Sequence, residues 1–235
     1  MAGLLFRDDA YRRSCSAHVV AVSGETIELD TTVFYPMGGG QAGDTGLLRF
    51  DDGTEVRILD TRKGETEERI MHVVAPGSPM PQTGAAVEAV LDWERRHLHM
   101  RMHTCLHLLC AVVPAPVTGG RIGEDKGHLD FDIEMDKLDK AAIETKLNAL
   151  IAAGGTATAR WIDDAELDAR PELVRTMSVA PPRGSGRVRL IEIPGVDLQP
   201  CGGTHVAEIG EIGRVQVARI RSEGKRNKRV TLVFA

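Results

Sequence analysis

The sequence predicts an α+β protein, with a small N-terminal β-barrel followed by a mixed domain. Three observations predict it. Residues 1–75 break into brief runs containing Val and Ile, separated by Gly, Asp and Ser, as short strands with turns do. Two later stretches lack Gly and Pro and read as helices. The strands around those helices follow no regular strand–helix–strand rhythm, which excludes a parallel α/β sheet.

In chain order, the barrel strands are expected at Ala17–Val22, Thr26–Asp30, Gly46–Phe50, Thr54–Leu59 and Arg69–Val74. Ala75–Gly84 (APGSPMPQTG) is rich in Pro and Gly and reads as a linker. The expected domains are therefore 1–84, a glycine-loop barrel, and 85–235, a metal-binding α+β domain. The second domain opens with a strand at Ala86–Leu91, then a helix from Trp93 to about Ala111, ended by Pro114. Gly127–Glu134 alternates Leu129, Phe131 and Ile133 with charged residues, as a half-buried strand should. Asp136–Ile151 has an amphipathic helical pattern, with Leu138, Ala142, Leu147, Leu150 and Ile151 on its buried side and Gly154 as its stop. Strands follow at Thr156–Ile162 and Val188–Ile193, and Arg214–Arg221 with Lys228–Phe234 reads as a hairpin.

Composition removes several function classes. No apolar run approaches the roughly 18–20 residues that span a bilayer, so no membrane partner is expected. The N-terminus lacks the charged–apolar–small order of a signal peptide, and the expected location is the cytoplasm. There Cys15, Cys105, Cys110 and Cys201 are thiols or metal ligands, not a disulfide framework. Aromatics make up 4% of residues and the net charge is −5, which disfavours generic coating of single strands.

The sharpest local signal is HTCLH, with His103 and His107 one helical turn apart and so on one face. CGGTH follows far downstream, with Cys201 and His205 again four apart. Three imidazoles and one thiolate suit zinc. A lone pair of histidines at this spacing is often chance; the second pair, set in a Gly-Gly turn, favours one shared ion. His99 is expected at a solvated position, and Cys105 and Cys110 as buried thiols. The residues between the two histidines, Thr104, Cys105 and Leu106, offer no carboxylate, which disfavours an HExxH-type protease.

Gly38-Gly39-Gly40-Gln41-Ala42-Gly43 matches G-x-G-x-x-G literally, but a strand follows it and no helix. A dinucleotide loop must open a helix, so no nucleotide cofactor is expected. The alternatives are a tight turn between strands, or close approach of backbone to a ligand, with Thr32 and Gln41 as nearby hydrogen-bonding groups. Between Arg214 and Arg229, seven cations face Glu223 alone, a local +6 on a chain of net −5. With Arg95, Arg96 and Arg101, this is either a footprint for phosphate or a solvated hairpin face.

FYPMGGGQAGDTG, RRHLHMRMHTCLHLL and CGGTHVAEIGEIG…SEGK together resemble the three signature stretches of alanyl-tRNA editing domains. The resemblance runs from about Thr26 to Val230 and is to the free-standing AlaX family, medium-length type. It implies an editing domain of the threonyl/alanyl-tRNA synthetase second-additional-domain type. It also implies trans-editing, by ester hydrolysis, of tRNA(Ala) mischarged with serine or glycine. By motif, His103, His107, Cys201 and His205 take the zinc positions. Thr32 takes a discriminating position, and Gln41 closes the glycine motif. Arg95, Arg96, Arg221, Lys225, Arg226 and Arg229 are the expected tRNA contacts. The family commonly has glycine after the motif lysine, where this chain has Arg226. The rival readings are a zinc-stabilised tRNA-binding module without chemistry and a zinc hydrolase of small esters.

Overall fold

The computed structural model describes residues 3–66, 69–174 and 186–235. Two compact units divide the chain between His97 and Leu98.

Unit 1 is a closed six-stranded barrel. Its strands are β1 (Ser14–Ser23), β2 (Thr26–Leu29), β3 (Gly46–Phe50), β4 (Glu55–Lys63), β5 (Ile70–Val74) and β6 (Ala86–Leu91). Around the barrel the order is β1-β2-β5-β4-β3-β6, and every pairing is antiparallel. Alternate residues point inward, so β1 contributes Cys15, Ala17 and Val19 to a core with Ile27, Leu48, Ile58 and Val87.

The expected boundary at Gly84 needs correcting. Ala86–Leu91 does not open the second unit; β6 pairs with Ser14–His18 on one side and Gly46–Phe50 on the other, and so closes the barrel. The Pro/Gly-rich stretch is a loop inside unit 1. Local composition cannot distinguish a loop that returns to its own sheet from a linker.

The glycine motif is explained within this unit. Gly43 packs so tightly on β4 that a Cβ there would lie 2.1 Å from the Thr61 carbonyl oxygen. Gly39 and Gly40 take positive φ of 56° and 82° and make the turn. Asp44, next in the motif, is buried and accepts the Tyr35 N–H at 2.6 Å. It also pairs with Arg96, which is fully buried and gives its remaining donors to the carbonyls of Ala10 (2.9 Å) and Val33 (2.7 Å). Arg96 is therefore a structural cation of the barrel, not an exposed tRNA contact. Its charge is neutralised and hydrogen-bonded, as a buried charge must be.

Helix α1 (Trp93–Val112) carries the division between the units. In unit 2 follow β7 (Val117–Ile122), β8 (Lys126–Asp132), α2 (Lys140–Ala153), β9 (Thr158–Asp163), α3 (Asp164–Ala169), β10 (Arg187–Ile193), β11 (Asp197–Pro200), β12 (Val215–Ser222) and β13 (Asn227–Phe234). They form two sheets, one ordered β12-β13-β8-β7 and one ordered β9-β10-β11. α2 starts later than expected because Asp139 caps it, accepting from the backbone N–H groups of Ala141 and Ala142. Its buried stripe is Ile143, Leu147 and Ile151, spaced four apart; Ala142 is exposed.

The three-stranded sheet has two unlike faces. Ile162, Val188, Leu190 and Leu198 pack against Leu167 and Leu173 on one side. The opposite face carries Arg189, Asp197 and Gln199, all buried.

Inside unit 1, His72 is fully buried, and burial pulls its pKa down to about 4 against an opposing hydrogen bond to Ile27. Nδ1–H donates to the Ile27 carbonyl at 2.9 Å, so Nε2 accepts the Thr32 hydroxyl at 2.8 Å. The unfolded chain therefore binds this proton more readily than the folded one. The stability it protects is complete above about pH 6.5 and is lost as pH falls toward about 4, at about 1.4 kcal/mol per pH unit. Denaturant titrations between pH 7 and 4 should show this slope, and H72Q should lack that component.

Candidate metal centre

α1 presents His103 and His107 one turn apart, with ring centroids 5.3 Å from each other. The His205 ring lies 4.2 Å from that of His103 and 4.7 Å from that of His107. Cys201 Sγ is 3.4 Å from His103 Nε2 and 3.2 Å from His205 Nε2. All four ligand atoms lie within 4.8 Å of one another. Ligand atoms around a tetrahedral zinc with bonds of about 2.0–2.3 Å sit about 3.3–3.7 Å apart. The four residues read from the two motifs thus converge on a volume that fits one ion.

Three of the four are held by partners outside the cluster. Asp197 Oδ2 lies 2.8 Å from His107 Nδ1 and fixes the ring with Nε2 turned to the cluster. Gln199 donates its amide to the same carboxylate oxygen at 2.7 Å. Thr104 gives its hydroxyl proton to the Met100 carbonyl at 2.9 Å and sits 3.2 Å from His205 Nδ1. The same oxygen accepts the Val206 N–H at 3.2 Å. Arg189 Nη1 donates to the carbonyls of Cys201 and Gly203, both at 2.9 Å, while the Cys201 N–H returns to the Arg189 carbonyl at 3.0 Å. The ligand turn is clamped at both ends, and the Gly203 N–H points at Cys201 Sγ from 3.4 Å.

The electrostatics suit a cation. Burial opposes ionisation of Cys201, but His103 and His205 outweigh it and hold the thiol well below its ordinary range. Thiolate is the form that ligates a metal. Burial pulls His107 down, but Asp197 and Cys201 raise it to about 10. Burial, with His103 beside it, drives His205 well below the ordinary histidine value, into the neutral form that offers a lone pair. The donor set therefore fits zinc in chemistry as well as in spacing.

The other expected site residues fare differently. Thr32 and Gln41 are fully buried in unit 1; the Thr32 hydroxyl bonds His72 and accepts the Phe34 N–H at 3.0 Å. Arg95 donates to the Gly43 carbonyl at 2.6 Å. Arg229 forks onto Asp130 at 2.7 and 2.8 Å, Arg226 meets Asp132 at 2.8 Å, and Arg221 pairs with Glu223. Lys228 is buried and donates to the carbonyls of Gly224 and Lys225. Asp130 and Asp132, from the neighbouring strand β8, thus offset part of the hairpin's charge. Lys225 is exposed on the turn. Arg101 donates to the Ile212 carbonyl at 2.8 Å and lies 4.2 Å over the Phe234 ring, a packing role.

His99 is buried, not solvated. Cys105 and Cys110 are buried as expected, and burial pushes Cys105 up to about 12. Asp197, Gln199 and Arg189 were missed from sequence. The first two carried a signal, polar residues at alternate positions just before the cysteine turn.

Residues 188–231 match the threonyl and alanyl tRNA synthetase second additional domain, and residues 9–95 match class II (A) tRNA synthetases. The alanyl-tRNA editing protein AlaX-M of Methanosarcina mazei is 33% identical over 98% of this chain and 95% of its own. That of Methanosarcina barkeri is 35% identical over 98% of each. The chain belongs to the alanyl-tRNA editing protein family. An alanine–tRNA ligase of Pyrobaculum neutrophilum is 34% identical over 92% of this chain but only 25% of its own length. Among the described residues, no helix is long and apolar enough to cross a membrane.

Removing the orienting groups should weaken metal binding without removing a ligand. D197N should lower zinc affinity by about 10- to 100-fold in a chelator competition. R189M should raise the metal release rate, and R189K should restore it in part, because lysine keeps the charge and a donor but not the planar, rigid guanidinium that holds Nη1 between the two carbonyls.

Proposed function

We propose that this chain is an aminoacyl-tRNA deacylase acting in trans on mischarged tRNA(Ala). It hydrolyses the ester that joins serine, and in second place glycine, to the terminal ribose. The observation that carries the reading is the His103–His107–Cys201–His205 cluster. Its Cys201 and His205 lie within the stretch matched by the threonyl and alanyl tRNA synthetase second additional domain, in a chain matched over 98% of its length by an AlaX-M protein. Those relatives' names stop at alanyl-tRNA editing; the amino acid removed and zinc as the ion belong to this proposal.

A bound zinc supplies Lewis acidity toward the ester carbonyl or an attacking water. The chain's own residues prepare for it. Asp197 holds the proton on His107 Nδ1 and aims Nε2. Thr104 does the same for His205. Arg189 sets the carbonyls of the cysteine turn away from the ligand side. Four protein ligands fill a tetrahedron, so catalysis needs room on one side. Cys201 is the one ligand of the four that is not buried, which marks the side of substrate approach. No residue is assigned as general base.

Discrimination against alanine follows from hydrogen bonding. A site that pairs the serine hydroxyl leaves a buried polar group unmet when alanine enters, and such sites separate substrates by about 10⁴–10⁵. Thr32 and Gln41 are proposed for this role from their motif positions. Thr32 gives its proton to His72, so what it can offer a serine hydroxyl is a lone pair.

Purified protein should release serine from seryl-tRNA(Ala) but not from a free seryl ester, and a chelator should abolish the release. Release from the small ester alone would favour a general esterase. No release by the folded, metal-loaded protein would favour the non-catalytic module. Thr32→Val should erode the seryl-over-alanyl preference. For the basic hairpin, proposed as a tRNA contact, K225A and R226A should each reduce the slope of log K against log salt by about 1. R229A should instead destabilise the sheet, by orphaning Asp130.

A further inference from the structure

The protein has two tryptophans, and they are used differently. Trp93 is absorbed by its surroundings: His97 stacks on it at 5.3 Å, Tyr11 lies 5.7 Å away, and Arg13 sits 4.4 Å over the ring. Trp161, on the edge strand β9, is 45% exposed, with no aromatic or cation–π partner among the described residues.

Its place in the sheet is specific. Trp161 stands opposite Arg189 in the β9–β10 register. Arg189 in turn stands opposite Cys201, through the bond from the Cys201 N–H to its carbonyl. Directly paired residues project to the same face. Trp161, Arg189 and Cys201 therefore form one row, on the face whose Asp197 and Gln199 hold His107. With strands about 4.8 Å apart, the ring stands about 10 Å along the row from the ligand cysteine. The row is buried at Arg189 and opens at Trp161, on the flank of the cluster where Cys201, the ligand that is only partly buried, lies.

The ester to be cut sits on the terminal ribose of a single-stranded end, and the base on that ribose has an unpaired face to stack. Single-stranded ends are held by aromatic side chains on which bases stack. An exposed indole one nucleoside's reach from the ligand turn, continuous with the metal-bearing face, fits that base. We infer that Trp161 is the stacking platform for the terminal nucleobase of the aminoacylated strand, setting the distance between the base and the metal centre. This rests on the deacylase reading for the identity of the ligand.

The first test is kinetic. W161A should raise KM for seryl-tRNA(Ala) about 10-fold or more, with most of the loss in KM and less in kcat, and W161F should recover most of it. The second uses a non-hydrolysable probe, 3′-serylamino-3′-deoxyadenosine, with serinamide as control. The probe should quench indole fluorescence in the wild type and not in W161F, while serinamide quenches neither. An unchanged KM in W161A, or equal quenching in W161F, overturns the platform. If the wild type shows no deacylation yet Trp161-dependent quenching persists, the platform stands and the proposed reaction falls.

Discussion

The hydroxyl of Thr104 joins the two halves of the metal centre. It leans back on its own helix through the Met100 carbonyl and takes the Val206 N–H of the distant cysteine turn. His205 Nδ1 lies against the same oxygen. One small side chain thus fixes the height of the turn along the helix and the rotation of one imidazole. Without that tie, nothing in the i, i+4 geometry of His103 and His107 would place a second ligand pair against them. Some zinc hydrolases carry a carboxylate between the ligand histidines; in this protein that position serves the architecture instead.

The charges in the centre are arranged so that a cation completes them. Cys201 is favoured as a thiolate, and Asp197 is buried beside His107. Two anions in a low-dielectric interior are costly unless cations answer them. The protonated tendency of His107 and the guanidinium of Arg189 supply part of that answer from the protein. A divalent ion held by the four residues would supply the rest. Unit 1 meets the same requirement differently: Arg96 and Asp44 are mutually neutralised and surrounded by carbonyls and an N–H, leaving nothing over for a ligand.

What was readable in the sequence follows from this difference. The clustering of His103, His107, Cys201 and His205 was legible because coordination demands particular residue types at helical and turn spacings, and those spacings survive in one dimension. Most strand positions were legible from alternation. Arg96 was not, because a charge count carries no burial. The hairpin's +6 was read without Asp130 and Asp132, which reach it only through the pairing of β8 with β13. β6 was assigned to the wrong unit because the Pro/Gly loop before it looks like a linker until the barrel closes. Arg189 was invisible for a related reason: its job is to bridge two carbonyls of a turn that lies next to it only once β10 and β11 are paired.

The three-stranded sheet shows why these roles do not interfere. Strand residues alternate between faces, so β10 sends Val188 and Leu190 to the α3 side and Arg189 and Ile191 to the metal side. A slip of one residue would push the Arg189 guanidinium into the apolar cluster and turn Leu190 toward the cysteine turn. Both errors are expensive, one as an unpaired buried charge and the other as a lost clamp. The register is therefore fixed twice over, by apolar packing on one side and by the chemistry of the metal centre on the other. The same alternation carries Trp161 onto the metal side while its neighbour Ile162 packs beneath. The exposed indole is thus anchored by a buried isoleucine, and its height above the sheet is set by the core rather than by a loop.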